Sequence, residues 1–317
     1  MKKCIFISII LGFLLCSSAL ADYGVEAINH FKVGRDLLEK KEYSRAIEEL
    51  KKAVELEPSY SDAHYLLGLA FMGEKKYKEA GESFQKVIQL KPEFVSTYLY
   101  LATAYMEEGR LDEARELLEK LQRQKPGKYE VQYALGVIYY SLGKLDDAIS
   151  VWARSIELNE SYAPAHGNLG VAYYQKRKYT ESAKELTAAV NLSRGGVLYI
   201  FNRAFSMEKL GKQKEYIEEL EAVVKTGKET IWATLAEGFI LLKAKKFDKA
   251  KEKAESVIKE DGKIARAHYL LGMIYFEMSK DEDAVKEFKE ALKIDPNDSD
   301  SIEMRDKVLK QMKDSRK

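Results

Sequence analysis

The sequence predicts an all-α protein built of repeated helical hairpins, and three observations lead to that prediction. The hexapeptide AHYLLG occurs at residues 63–68 and again at residues 267–272, a separation of 204 residues, or six times 34. Four of the five prolines keep the same 34-residue phase: Pro58, Pro92, Pro126 and Pro296. Small residues recur at two fixed places of this period. A fixed period of this length is typical of an array of helical repeats.

Cutting the chain in the proline phase gives eight contiguous repeats, from residues 27–60 to residues 265–298. The eighth place never carries a large side chain: Gly34, Gly68, Ala102, Gly136, Gly170, Ala204, Gly238 and Gly272. The twentieth place is alanine or serine in every repeat except the sixth, which has Tyr216. Small residues at both places let the two helices of a hairpin approach closely, while large apolar residues such as Phe84 fill the surrounding space.

The order of elements within a repeat follows from its turn residues. Gly109, Gly143 and Gly211 all occupy the fifteenth place, where glycine suits the left-handed residue that ends a first helix. The in-phase prolines then end the second helix and begin the next repeat. Each repeat is therefore predicted to be one helix–turn–helix hairpin.

This pattern resembles the tetratricopeptide repeat family, whose small-residue and aromatic places match Gly68, Phe71, Ala80, Phe84 and Pro92 of the second repeat. The resemblance implies a right-handed α-solenoid, a superhelix of eight hairpins. In such a fold each first helix lines a concave groove and each second helix lies on the convex side. Family members that bind acidic chain ends use a clamp of Lys, Asn and Arg in their first helices, and the uncharged first helices described below lack it.

The sixth repeat departs from the family pattern. The turn just before it reads Ser-Arg-Gly-Gly at residues 193–196 instead of the usual proline turn, and within the repeat Tyr216 replaces alanine. A kink or altered packing is expected there, within one continuous array. Arg203 and Glu237 occupy the seventh place of adjacent repeats, where the other repeats carry Leu or Val, and they are predicted to form a compensating ion pair.

Both ends of the chain differ from the repeats. Residues 1–21 combine a basic start, an apolar run and the small residues Ala19 and Ala21, which is typical of a secretory signal peptide cleaved after Ala21. The mature chain would be periplasmic or secreted, with the solenoid in residues 22–298. Membrane association is expected only in the alternative reading, in which Cys16 is acylated. Residues 299–317 are predicted to form a C-terminal capping helix, because Ile302, Val308, Leu309 and Met312 form an apolar stripe among many charges.

Composition and motifs argue against several functions. Removing the leader would leave 50 basic against 51 acidic residues, so no basic excess favours nucleic acid, and no cysteine would remain. All four histidines, His30, His64, His166 and His268, fall at the fourth place of their repeats, spread along the array rather than gathered at one site. No GxSxG, HExxH or GxxxxGK[ST] motif occurs. We therefore expect no catalytic residues, no metal site and no cofactor.

The candidate binding surface is marked by missing charge. In the second to fifth repeats, the predicted first helices at residues 63–73, 95–106, 131–143 and 163–175 contain no Asp, Glu, Lys or Arg. A helix with one solvated face would normally carry charges there. The groove places carried over from the family give these candidates, with the two asparagines added: Tyr65, Leu69, Met72, Tyr100, Tyr133, Tyr140, Asn168, Tyr174, Asn202, Phe205, Phe239 and Phe276. The rings of Tyr140 and Tyr174 are expected to be accessible and to lie outside the solenoid core.

Asn168 and Asn202 occupy the same place in adjacent repeats and resemble two rungs of the asparagine ladder by which some family members hold an extended peptide. Ordinary side-chain hydrogen bonding is an equal explanation. The leading hypothesis is a non-catalytic periplasmic scaffold that binds an extended protein or peptide segment. The alternatives are a carbohydrate-binding accessory protein of envelope or exopolysaccharide assembly, since tyrosines also stack on sugars, and a structural homo-oligomer. Packing of the superhelix on itself would also explain the uncharged helices.

Overall fold

The computed structural model describes residues 24–315, so the predicted leader, its cleavage site and Cys16 lie outside the described residues. Within this range the chain forms seventeen α-helices and no strand. They are α1 Val25–Glu39, α2 Tyr43–Leu56, α3 Ser61–Gly73, α4 Tyr77–Leu90, α5 Val95–Glu107, α6 Leu111–Gln124, α7 Tyr129–Ser141, α8 Leu145–Leu158, α9 Ala163–Gln175, α10 Tyr179–Leu192, α11 Val197–Lys209, α12 Gln213–Thr226, α13 Ile231–Lys243, α14 Phe247–Glu260, α15 Ala265–Glu277, α16 Asp281–Ile294 and α17 Ser299–Asp314.

The helices confirm the predicted repeat and its phase. Sixteen of them pair in chain order into eight hairpins, and α17 packs on α16 as the predicted cap. The second helix begins at the seventeenth place in all eight repeats, and from the second repeat onward the first helix begins at the first place. None of the helices in residues 24–315 has the length and hydrophobicity needed to cross a bilayer.

The chain divides into two compact units, one ending at Gln124 and the other beginning at Lys125. The N-terminal unit holds the first three hairpins, and the C-terminal unit holds the other five with α17. An extended core cluster of the C-terminal unit runs from Tyr174 to Val308. The sequence predicted no boundary after Gln124.

Close approach of the two helices in a hairpin explains the small residues at the eighth place. A Cβ on Gly68 would lie 2.6 Å from the ring of Phe84, and one on Gly272 would lie 2.7 Å from the ring of Phe288. These ring residues occupy the twenty-fourth place and are fully buried. The twentieth place is also fully buried in all eight repeats. A small residue on the first helix therefore faces a large buried side chain on the second, and this complementarity of size fixes how each hairpin packs.

Every hairpin turns through a left-handed residue at the fifteenth place. These residues are Lys41, Lys75, Gly109, Gly143, Arg177, Gly211, Lys245 and Ser279, with φ between 56° and 80°. In each turn the next amide donates to the carbonyl five residues back, as Lys144 N does to Tyr139 O at 2.8 Å. This bond satisfies a carbonyl at the end of the first helix. The prediction made for the three glycines is confirmed, and the same geometry extends to residues with side chains.

Gly143→Ala is expected to destabilise the C-terminal unit by about 1 kcal/mol, because an L-residue is strained in the left-handed region. A Cβ at Gly143 would meet nothing within 4 Å, so the loss would come from the backbone alone. Gly127→Ala is the matched control, because Gly127 lies in open space without a left-handed φ. Urea denaturation followed by fluorescence of Trp152 and Trp232 measures both, and equal effects would contradict the strain argument.

The sixth repeat shows altered packing, as the sequence predicts. Tyr216 is fully buried and packs edge-on against Phe205, with 5.7 Å between ring centroids. The Ser193 hydroxyl accepts a hydrogen bond from the Gly196 amide at 2.9 Å, which orders the turn before α11.

The predicted Arg203–Glu237 ion pair is wrong. Arg203 pairs with Glu219 at 2.7 Å, and Glu237 pairs with Lys253 at 2.7 Å. Each pair joins the seventh and twenty-third places of one hairpin. Because the two helices of a hairpin are direct neighbours, each charged side chain pairs with the other helix of its own hairpin rather than with the next repeat.

Candidate binding surface on the first helices

Three first helices of the C-terminal unit converge on an acidic segment of the same chain, residues 295–300, which joins α16 to α17. The Tyr174 hydroxyl donates to Asp300 Oδ2 at 2.7 Å. Arg266 Nη1 donates to the same oxygen at 2.7 Å, and Lys209 Nζ lies 2.7 Å from Asp300 Oδ1. The Asp300 side chain is only 3% exposed. Tyr174, Lys209 and Arg266, here called the carboxylate cradle, therefore enclose a charged group with three donors.

A second set of contacts holds the beginning of the same segment. The Tyr140 hydroxyl donates to Asp295 Oδ2 at 2.8 Å, and Gln175 Nε2 donates to the same oxygen at 3.2 Å. Asn297 Nδ2 donates to the Tyr140 carbonyl at 3.3 Å. The acidic segment therefore lies against the C-terminal ends of α7 and α9.

The two held carboxylates have opposite pKa shifts. Burial alone would raise the pKa of Asp300, but the charges of Arg266 and Lys209 outweigh burial and hold it below its usual value. The pKa of Asp295 is raised, first by burial and also by the charge of Asp298. Asp300 is thus stabilised as an anion, whereas Asp295 is held mainly by neutral donors.

Arg266 also packs over the aromatic core of the C-terminal unit. Its guanidinium lies 4.5 Å from the ring centroid of Phe205 and 5.1 Å from that of Tyr269. Beneath the guanidinium, Phe205 and Phe239 pack edge to face, with 4.9 Å between their ring centroids. Contact with ring faces and with two carboxylates fixes the guanidinium in place.

The structure corrects the expectation of open rings at Tyr140 and Tyr174. They are only 7% and 5% exposed, because the acidic segment covers them. Phe205 and Phe239 are also buried, at 2% and 3% exposed, within the core cluster. These four residues form the wall of an occupied site, and none of them is an open groove residue in this conformation.

The other C-terminal candidates, Tyr133, Asn168, Asn202 and Phe276, are half-buried. The Asn168 side chain donates to the Tyr133 hydroxyl at 3.4 Å. The Asn202 side chain makes no hydrogen bond within residues 24–315. Lys307 of α17 lies over the Phe276 ring at 5.0 Å. Asn168 and Asn202 are therefore the candidates with polar groups still open to a ligand.

The four candidates of the N-terminal unit fall into two pairs. Tyr65 and Met72 are buried, while Leu69 and Tyr100 are half-buried. The Tyr65 ring packs edge-on against Tyr100 at 5.8 Å and against Phe84 at 6.0 Å. Packing within one hairpin and against the next thus buries part of the predicted binding surface in this unit.

Three of the four histidines form the same structural pair. His30, His166 and His268 each place Nδ1 within 2.7 Å of a glutamate 19 residues later, at the twenty-third place. The hydrogen bond to Glu185 raises the pKa of His166 against the opposing effect of burial. Burial lowers the pKa of His64, which bonds the Pro58 carbonyl instead. No cluster of metal-ligating side chains occurs among the described residues.

Sequence reasoning missed Lys209 and Arg266, the two cations of the cradle. The sequence prediction rested on the uncharged first helices of the second to fifth repeats, whereas these two residues lie on charged first helices in the sixth and eighth repeats. The available signal was basic residues on the first helices of the sixth and eighth repeats, combined with three aspartates in residues 295–300. That pattern would have suggested an ionic contact without saying where it forms.

Known structures with the same arrangement of helices confirm the all-α solenoid fold. A tetratricopeptide repeat protein from Parabacteroides merdae shares 19% identity, with a TM-score of 0.60, over 90% of this chain and 100% of that one. A chain of the Cut9–Hcn1 hetero-tetramer of the APC/C shares 16% identity with a TM-score of 0.59. That match spans 88% of this chain but only 55% of the other. The pilF protein of Pseudomonas aeruginosa shares 18%, with a TM-score of 0.54, over 66% and 95% of the two chains.

Family models match most of the repeats. No curated protein matches this chain. Models described as tetratricopeptide repeat or TPR repeat match residues 34–74, 71–137, 136–177, 163–195 and 265–298. Such repeats are typical of protein–protein interaction scaffolds and are generally non-catalytic. By these matches, its eight hairpins and its repeat places, the chain belongs to the tetratricopeptide repeat family.

Proposed function

We propose that this protein is a non-catalytic scaffold that binds an extended segment of a partner protein along its first helices. The observation that carries the proposal is the pair Asn168 and Asn202, at the same place on α9 and α11. Both are half-buried, and the Asn202 amide has no hydrogen-bond partner among the described residues. An amide side chain offers a donor and an acceptor together, so it can pair with a peptide group whatever the ligand sequence.

The surroundings of the asparagines support the same reading. The Tyr133 ring lies beside Asn168 and is itself half-buried, so it can add contact area with little rotamer entropy to lose. Membership of a repeat family typical of protein interaction supports a protein ligand. A bound segment would then meet amides for its backbone and rings for its side chains.

The proposed place of action is the periplasm, or the medium after secretion. The support is the leader pattern in residues 1–21, with small residues before the expected cleavage site. N-terminal sequencing of exported protein should begin at Asp22. An acylated Cys16 would instead establish a lipoprotein.

The binding proposal is tested with peptides selected from a random display library. Asn168→Ala combined with Asn202→Ala should weaken the best peptide by about 2 kcal/mol, or roughly 30-fold, if each amide contributes a hydrogen bond of about 1 kcal/mol. Asn191→Ala is the matched control, because Asn191 is exposed on the second helix α10. Calorimetric titration measures all three affinities.

Three outcomes would contradict the proposal. Equal binding of a selected peptide to wild type and to the double variant would place the peptide elsewhere on the protein. Binding of glycans in an array would favour the carbohydrate hypothesis if Tyr133→Ala abolishes that binding and the asparagine variants do not. A stable dimer or larger assembly that loses its mass when Tyr133 or Asn202 is replaced would favour the homo-oligomer.

A further inference from the structure

The helix that closes the carboxylate cradle is held by charge as well as by apolar packing. Val308 is its single fully buried apolar side chain, and Met304, Leu309 and Met312 pack partly buried against the core cluster. The preceding helix α16 buries four apolar residues, including Phe288. Ion pairs with Lys209 and Arg266 supply much of what fixes the beginning of α17.

A third cation extends the cradle along α17. Arg177 Nη2 lies 2.9 Å from Glu303 Oε2, one helical turn beyond Asp300. Arg266 also lies 3.8 Å from Asp298. Three acidic residues within residues 298–303 are thus matched by three cations from separate repeats. Lifting α17 would leave Lys209 and Arg266 without carboxylates, at a cost that another acidic segment would remove.

We propose that the cradle is a docking site for an acidic segment of a partner protein, and that residues 298–303 are its intramolecular occupant. The recognised pattern is a peptide with two carboxylates two residues apart and a third three residues further on, as in Asp298, Asp300 and Glu303. This inference rests on the proposed scaffold function, because it names the chemistry of a partner for the same set of first helices.

Peptide carboxylates match the hydrogen-bond donors of the site as well as its charge. Asp300 receives one hydroxyl, one guanidinium and one ammonium donor, which satisfies both of its oxygens. The Gln175 Oε1 atom beside Asp295 is buried and has no donor, so the site retains an unused acceptor for a peptide N–H. A partner that supplies both carboxylates and a backbone donor would therefore make one hydrogen bond more than residues 295–300 make.

The test uses the full chain and a labelled synthetic peptide corresponding to residues 295–314. Binding to wild type should be weak, because the tethered segment competes at a high effective concentration. Asp300→Asn combined with Glu303→Gln loosens the occupant and should tighten peptide binding at least tenfold. Adding Arg266→Gln should reverse that gain. A control peptide with amides in place of Asp298, Asp300 and Glu303 should bind at least tenfold more weakly than the acidic peptide.

A second measurement needs no substitution. In the wild-type chain, excess acidic peptide should speed amide hydrogen exchange in α17 while leaving exchange in α8 unchanged. Unchanged exchange in α17 at excess peptide, or equal binding of the acidic and amide peptides, would overturn the proposal. Inorganic phosphate is included at the same ionic strength, and release of α17 by phosphate alone would also overturn a peptide site.

The two proposals fail separately. Loss of library-peptide binding in the Asn168 and Asn202 variants, with no response of α17 to the acidic peptide, would keep the scaffold function and reject the cradle as a docking site. Displacement of α17 by the acidic peptide, with library-peptide binding unchanged in the asparagine variants, would keep the cradle as a docking site and reject the proposed role of the asparagines. The cradle experiment therefore does not depend on the identity of a library peptide.

Discussion

Arg266→Met is expected to destabilise the C-terminal unit by about 3 kcal/mol, because removing one partner of a buried ion pair leaves the other uncompensated. Asp300 is 3% exposed, and Arg266 is 19% exposed and lies within 4 Å of both Asp298 and Asp300. Methionine keeps much of the apolar stem that packs on Phe205, so the loss would report charge more than volume. Lys209 remains as a partner of Asp300, which limits the effect.

Both tryptophans, Trp152 and Trp232, lie in the C-terminal unit, so their fluorescence in urea reports that unit alone. The matched control is Arg154→Met, because the Arg154–Glu157 pair on α8 is more than half exposed. An exposed pair contributes under about 1 kcal/mol. Equal losses for the two variants would show that the cradle contributes no more than a surface pair.

The same experiment has a defined pH dependence. The pKa of Asp300 is lower in the folded state than its usual value, so its contribution to the free energy of unfolding is present above the unfolded pKa. That contribution is lost as pH falls through the folded pKa. Wild type should therefore lose its advantage over Arg266→Met in acid, and an advantage that does not decline once the pH falls below the usual pKa of an aspartate would contradict the ionic explanation.

The fold could be predicted from the sequence because every repeat forms the same hairpin from the same local pattern of residues. A small eighth place, a small twentieth place and a left-handed turn at the fifteenth place recur every 34 residues, and the helices begin at the places that this period predicts. The choice of ion-pair partners depends on the hairpin geometry. Arg203 pairs with Glu219 and His166 pairs with Glu185, and both glutamates occupy the twenty-third place of their repeats. Reading that place together with the fourth and seventh would have found these pairs.

The candidate site was harder to predict. The repeat pattern put Tyr140 and Tyr174 on one side of their helices, but it did not show that residues 295–300 of the same chain cover them. That contact joins residues more than 120 positions apart, and small rotations from repeat to repeat add up over this distance. The half-buried Asn168 and Asn202 are locally determined, and these two candidates stay open to test.

Gly136→Ala is expected to destabilise the C-terminal unit by about 3 kcal/mol, through overpacking and a lost hydrogen bond. A Cβ at residue 136 would overlap the indole of Trp152, which is 1% exposed. The indole Nε1 donates to the Tyr133 carbonyl at 3.1 Å, so the ring cannot move without giving up that bond. Gly127→Ala is again the control, since its Cβ would meet nothing within 4 Å.

Other repeats indicate a compensating substitution. Where the eighth place is alanine, the facing twenty-fourth place is leucine, as in Ala102 with Leu118 and Ala204 with Leu220. Trp152→Leu should therefore relieve the clash in a Gly136→Ala background, although it opens a cavity in the wild-type background. In a double-mutant cycle followed by circular dichroism in urea, the combined loss should be smaller than the sum of the single losses by at least about 1 kcal/mol. Additive losses would mean that the two side chains do not compete for the same space, and that close approach is not why the eighth place is small.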